Sequence, residues 1–385
     1  MADRPTPPIE PAGFRHRDTR LDVFRALALV TIFINHVPGQ YLEYGTTKNF
    51  GFSDSAEVFV LLSGLSVGLA YGDRFLRDRL RMTIHILRRA FTLYVAHIMT
   101  SVMTFAIFAG GALWFARPDL LSEINLRAVV DHTEQGLLGM VLLGHQFGYN
   151  NILSMYAVLF LMLPAILWLH ERAALRLLVL SGGLWLLAGV LHVGPSNLLD
   201  EGIWFLNPLS WQFLFVIGIV SAIHLQRGGR LPRHLALLIL AVAYLLLSFC
   251  WVVFRWWHID LSFGLPAVLT GFDKTFLSVS RLAHVLALAY VVSSSAFLLR
   301  LAARPVSHPL AAIGRHSLPV FIFGTLLAMV GQVLMAISGR DPWLGTAFVV
   351  LGLALHVLYA RYLDWLDSLS RSRPIQADPV QAPAE

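Results

Sequence analysis

Three groups of ionisable residues interrupt stretches of chain that are otherwise apolar. The first is Asp22, Arg25 and His36. Arg25 and His36 are about three α-helical turns apart, so on a helix they share one face with ~16 Å between them along the axis. Asp22 lies one turn before Arg25 on the same face. An imidazole at one end of such a stripe can take a proton from a hydroxyl. A guanidinium at the other can pair with Asp22 or grip an anion. The second group opens a run rich in small residues, Asp54-Ser55-Ala56-Glu57, followed by Val60, Gly64, Gly68 and Gly72 at four-residue spacing. That spacing puts Glu57 near the face through which another helix can approach closely. A carboxylate there needs a partner, and His36 ends the preceding apolar segment at matching depth. The third group is Lys274, Ser278, Arg281 and His284, which fall on one broad face of a predicted helix. A charge inside a bilayer costs ~2.5–3.5 kcal/mol or more at mid-depth, so each of these side chains calls for a reason.

Plainer readings fit the same residues. Arg25 can snorkel to one interface while His36 marks the other. Asp54 can cap a helix, with Glu57 solvated in its first turn. Arg281 can neutralise Glu57 or Asp54 and hold two helices together. In Asn207-Pro208-Leu209-Ser210-Trp211-Gln212, Asn207 and Pro208 have the types that start a helix. Trp211 suits an aromatic belt, whereas Gln212, a turn further in, is harder to explain that way. No His-Glu-x-x-His pair or phosphate-binding Gly-x-x-x-x-Gly-Lys loop occurs.

The elements that must position these residues are membrane helices. The chain is 57% hydrophobic and 14% charged, far from the balance of soluble domains. Its apolar runs are long enough to cross a bilayer, and strand-like alternation is absent. The runs predict an all-α bundle of about ten transmembrane helices, near 22–38, 54–72, 88–116, 151–170, 174–193, 206–226, 235–254, 275–299, 315–338 and 343–362. The first is read as an uncleaved span. Alternate connecting segments hold 20 and 6 of the Lys and Arg residues, which predicts that both termini are cytoplasmic. A cytoplasmic arm (1–20), one ten-helix domain (21–368) and a disordered cytoplasmic tail (369–385) complete the organisation. Loops 117–150 and 255–274 contain apolar stretches too short to span, suited to re-entrant or interfacial segments. Cys250, the single cysteine, excludes an internal disulfide and a cysteine-based zinc site, and reads as core filler. No metal site or nucleic-acid partner is expected. Membrane topology accounts for the net charge of +6.

Arg20-Leu-Asp-Val-Phe-Arg25-Ala-Leu-Ala, with ten residues between Arg25 and His36, resembles the signature of the membrane acyltransferase-3 superfamily. Phe59-Val-Leu-Leu-Ser-Gly64 resembles its second-helix motif, and Arg88-Arg89 with Tyr94 its third. The closer resemblance is to the OpgC-type branch, succinyltransferases of osmoregulated periplasmic glucans. It is carried by residues 31–39, 47–64, 151–156, 205–218, 273–284 and 313–321, in order along nearly the whole membrane domain. The resemblance implies an inner-membrane O-acyltransferase with no permanently bound cofactor. Acyl-CoA, succinyl-CoA in that branch, is the co-substrate, and periplasmic glucan and membrane lipid are the partners. Oligomeric state is left open, a homodimer included. The implied roles are catalysis by His36 with Glu57 or Asp54, and donor binding by Arg25, Arg88, Arg89 and Arg315. Acyl or acceptor binding falls to Arg281, Lys274, His284, Asn207, Trp211 and Gln212, while Asp22 is a structural partner. Acetyl transfer to another extracytoplasmic glycan, and a glycan exporter or permease, are the alternatives. The exporter is disfavoured because no inverted repeat is seen.

The orientation is directly testable. In a Cys250→Ser background, Asn197→Cys and Arg340→Cys are expected to react with an impermeant thiol reagent in intact cells. Arg79→Cys and Arg230→Cys are expected to stay protected until the membrane is opened. Labelling of Arg79→Cys in intact cells would reverse the orientation.

Overall fold

A computed structural model describes residues 18–199, 201–260 and 262–371. Ten long helices carry the fold: α1 (Thr19–Asn35), α2 (Ser55–Arg77), α3 (Arg79–Trp114), α4 (Asn151–Arg172), α5 (Ala174–Leu191), α6 (Pro208–Gln226), α7 (Leu235–Val253), α8 (Val279–Ser294), α9 (Ser317–Ile337) and α10 (Pro342–Arg371). Among the described residues the only β pairing is one isolated bridge, Ser196 with Ile203. Among the described residues, eight helices are long and apolar enough to cross a membrane, or nine when α8 is joined to its bent continuation. The seventeen-residue α1 is at the short end of spanning lengths. The chain is an all-α, multi-pass membrane protein. Apart from residues 18–20 and 369–371, the predicted arm and tail lie outside the described residues.

The small-residue stripe of α2 packs where its composition requires. A Cβ on Gly64 would run into the Phe215 carbonyl of α6, one on Gly68 into Ile219, and one on Gly72 into Ile223. Gly218 of α6 faces Leu61 and Gly64 in the same way. With no side chain between them the backbones approach closely, and dispersion replaces the hydrophobic drive that lipid cannot supply. Trp211 and Phe215 of α6 and Leu159 and Leu163 of α4 fill the adjoining core. The helix α7, with 11% of its apolar window buried, faces lipid instead.

Local chemistry shifts several boundaries from those expected. The third helix begins at Arg79, and its 36 residues extend ~54 Å, longer than a ~30 Å hydrocarbon core. The basic segment Arg79–Arg89 is therefore helix and not loop. The helix expected over 275–299 starts only at Val279, because Asp273 holds the preceding turn through the Phe276 and Ser278 amides. Lys274 and Ser278 thus precede the helix, and Arg281 sits in its first turn, not two turns in. The same segment breaks at extended Ser295, whose hydroxyl caps the short helix Ala296–Ala302 at an 87° bend. The run Ser293-Ser294-Ser295 explains the break, since serine side chains compete for backbone partners. The helix expected over 315–338 is α9, and a short helix, Pro309–Arg315, precedes it. In the 117–150 loop the apolar run falls in a short helix, Thr133–Val141, and 255–274 contains two helical turns.

Gly64→Val and Gly218→Val are expected to lower the thermal midpoint in detergent sharply or to abolish the monodisperse species, with at least the ~1–3 kcal/mol of overpacking. Gly183→Ala, which meets open space, is the control expected to match wild type.

Candidate active site

Two polar clusters mark opposite ends of α1. At its C-terminal end, His36 is the first residue after the helix, its amide bonded to the Ile32 and Phe33 carbonyls. Gln332 of α9 donates to the His36 carbonyl (2.9 Å). The imidazole is half-buried, and the charges of Lys274, Asp54 and Lys48 act on it.

Asp54 caps α2 by accepting from the Ala56 amide (2.8 Å), while Glu57 reaches back to the Asp54 amide (2.9 Å). This reciprocal box fixes both carboxylates relative to the backbone. Lys274 donates to Asp54 (2.5 Å). The Arg281 Nε donates to Glu57 (2.6 Å), and its terminal nitrogen reaches Glu57 at 2.5 Å and Asp54 at 3.4 Å. Glu57 is wholly removed from solvent, and the Arg281 side chain is partly buried, 13% exposed. Four opposite charges therefore balance, and Glu57 spends its carboxylate on Arg281. Of the two carboxylates it is Asp54 whose charge acts on His36, opposed by those of Lys274 and Lys48.

The other predicted residues support this cluster. The His284 Nδ1 pairs with the Ser53 hydroxyl (2.7 Å), and a Cβ on Gly51 would collide with its ring, so it fixes the loop that leads into Asp54. Trp211 donates its indole N–H to the Lys274 carbonyl (3.0 Å). Asn207 caps α6 through the Leu209 amide (3.0 Å) and donates to Val193 (2.8 Å). Gln212 accepts from the Ser181 hydroxyl (2.5 Å) and donates to its carbonyl (2.8 Å). Asn207 and Gln212 thus lock α6 to α5, while Trp211 fixes the backbone at Lys274.

At the N-terminal end of α1, buried Arg25 donates to Asp22 (3.0 Å), to the Gly314 carbonyl (2.9 Å) and to the Ser66 hydroxyl. A Cβ on Gly314 would fall on the Asp22 backbone, which explains a glycine at this crossing. One residue on, Arg315 grips Asp364 of α10 with both oxygens (2.6 and 2.7 Å), and His316 shares that carboxylate (2.9 Å). The helix Pro309–Arg315 thus ties the start of α1 to the end of α10, so both described chain ends lie on one side. Arg25 and Arg315 come together here. Arg88 and Arg89 are exposed on α3, and Arg89 acts with Arg74 on Tyr71 of α2.

Several residues escaped the sequence reading. Ser66 binds Arg25, and Tyr156 donates to Ser63 (3.0 Å) on the same helix. Asp364, His356 and His97 are ionisable groups within spans, the very criterion that singled out Arg25, and it would have found them.

The ion pairs predict a non-additive response. Arg281→Gln is expected to destabilise the protein by ~3–5 kcal/mol, since it leaves buried Glu57 without its cation, and Glu57→Gln by less, since Arg281 keeps its contact with Asp54. The double substitution is expected to recover much of that loss, as read by thermal unfolding in detergent. Additive losses would mean that the pair is not coupled.

Comparison with known proteins is consistent with this architecture. No curated protein matches the chain significantly. The family described as OpgC protein matches residues 17–368, which takes in every long helix and both polar clusters almost to the end of α10. The chain therefore belongs to the OpgC protein family, whose members carry out acyl transfer.

Proposed function

We propose that the chain is an O-acyltransferase of the bacterial inner membrane that moves succinyl groups from cytoplasmic acyl-CoA to hydroxyls of periplasmic glucan. The observation that carries this reading is that His36 stands at the end of α1 where the charges of Lys274 and Asp54 act on it, opposite the arginine cluster. The 20-to-6 distribution of Lys and Arg supports a cytoplasmic arginine end and a periplasmic His36.

In this reading the glucan hydroxyl approaches His36 from the periplasm. The imidazole accepts its proton as the oxygen attacks the thioester carbonyl. Asp54 favours the imidazolium that forms, much as a carboxylate does beside histidine in a triad. Lys274 partners Asp54 and stands where negative charge develops on the attacked carbonyl. Donor phosphates meet the exposed Arg88 and Arg89 at the cytoplasmic surface, while Arg25 and Arg315 hold the adjoining helices through Asp22, Gly314 and Asp364. Arg281 acts by pairing Glu57, and His284, Asn207, Trp211 and Gln212 act by positioning the periplasmic cluster.

The test is mass spectrometry of periplasmic glucans from cells that lack the protein, express it, or express His36→Ala at equal membrane level. Succinyl increments are expected with the wild-type protein only. Acetyl increments would reassign the acyl group, and unchanged glucans would favour export. Succinylation by His36→Ala would remove the imidazole from the chemistry.

A further inference from the structure

Acyl transfer from a thioester leaves a proton in the wrong place. The acceptor loses its proton at the His36 end, whereas the departing thiolate, on a donor that arrives from the arginine end, must gain one. A second histidine lies between the two. His36 and His356 of α10 line the same cavity, of about 10 Å3, together with Phe33 and Thr325. That is about the room of one water.

His356 is 1% exposed and fourteen residues into α10, so it lies ~21 Å along the axis from the end of α10 nearer His36. Tyr41, in the loop after His36, marks that end by donating to Thr346 (3.0 Å). Phe33, one turn before His36 on α1, packs its ring on His356 at 4.6 Å between centroids. The His356 Nδ1 pairs with the Gly352 carbonyl at 2.6 Å. A carbonyl only accepts, so Nδ1 carries the hydrogen, and in the neutral ring Nε2 keeps its lone pair. Gly324 on α9 leaves room for that nitrogen, since a Cβ there would run into it. Thr325 donates its hydroxyl hydrogen to the Phe321 carbonyl (2.9 Å), which leaves its oxygen able to accept. A water in this cavity can therefore donate to His356 Nε2 and to Thr325 while accepting from His36.

We propose that His356 is the acid that protonates the leaving thiolate, supplied through the cavity water with the proton that His36 removes from the acceptor. This rests on the acyltransferase reading above. The O–H bond of the acceptor breaks as its oxygen bonds to the acyl carbon, and its proton passes to His36. The C–S bond breaks and its electron pair leaves with sulfur. The His36 proton moves to the water, which gives another to His356 Nε2; with Nδ1 held by the Gly352 carbonyl, the same Nε2 then delivers it to the thiolate sulfur as that sulfur takes the water's place in the cavity. Thioester and alcohol become ester and thiol, with no other reactant. His36 serves the acceptor side and His356 the donor side.

The test uses the purified full-length protein with succinyl-CoA and glucan. His356→Gln places an amide near Nε2, whereas His356→Asn keeps an N–H for the Gly352 carbonyl. Neither side chain can pass a proton on. Both are expected to lower kcat at least a hundredfold, the effect of losing one acid–base group, with KM for donor and acceptor within about threefold of wild type. In mixtures of light and heavy water, the wild-type kcat is expected to show more than one transferred proton, and the variants' residual rate fewer. Wild-type kcat in either variant, or a lowered kcat with the wild-type proton count, would overturn the relay and leave His356 a packing residue. His36→Ala separates the two readings. If it is active, the base assignment fails and the relay with it; if it is inactive while the His356 variants are normal, the relay alone fails.

Discussion

A carboxylate shut away from water must meet a cation, and in this protein the carboxylate is Glu57, held against Arg281 at the mouth of the bundle. An ionised group in that setting carries a desolvation cost of several kcal/mol, which its partner offsets only in good geometry. The capping box at the start of α2 supplies that geometry, because it fixes Glu57 and Asp54 to the same backbone turn. Arg281 must then reside in the first turn of α8, and Lys274 in the turn before it. Trp211 and Asn207 hold this segment from α6, and α6 is held to α2 by the interleaved glycines. One ion pair thus sets the mutual placement of α2, α6 and α8, and with it the charges that surround His36.

The cluster at the other end of α1 obeys the same constraint with a different outcome. Arg25 is satisfied by Asp22, by a backbone carbonyl and by Ser66, and Arg315 by Asp364. These cations are used to bind helices. Arg88 and Arg89 are instead exposed on α3, a helix longer than a ~30 Å hydrocarbon core. Arginine is suited to both tasks, being always ionised and able to bond in several directions at once. The four arginines grouped from the sequence by topology accordingly separate into buried fasteners and exposed charges.

The sequence displayed the spans clearly, since twenty apolar residues in a row have few other uses. The α2 stripe also read true, because a four-residue repeat of glycines has a direct meaning in helix packing. Helix ends were less legible where a side chain three or four positions away decides them. Asp273 delays α8 and Ser295 breaks it by bonds that no hydrophobic pattern encodes. Depth suggested Glu57 as the carboxylate to partner His36, but Glu57 is taken up by Arg281. The pairing of Glu57 with Arg281 was legible only as one of two choices, because matching depth does not say which of two neighbours a carboxylate will take.

Histidines illustrate why the remainder was hidden. His36 stands out because Arg25 precedes it at a helical spacing, whereas His356 has no such companion along α10. Its significance lies in three elements that are distant in sequence: Gly324 on α9, Phe33 on α1 and the Gly352 carbonyl. Only when these converge does a lone histidine in an apolar helix acquire a defined tautomer and a small cavity shared with His36. The same physics that hides it gives it a use. An imidazole whose Nδ1 is committed to a carbonyl presents one basic nitrogen in one direction, and a bilayer interior has no bulk water to carry protons by another route. A reaction that takes its acceptor from one side of a membrane and its donor from the other has to conduct that proton through protein, and α1, α9 and α10 enclose the space in which it can be done.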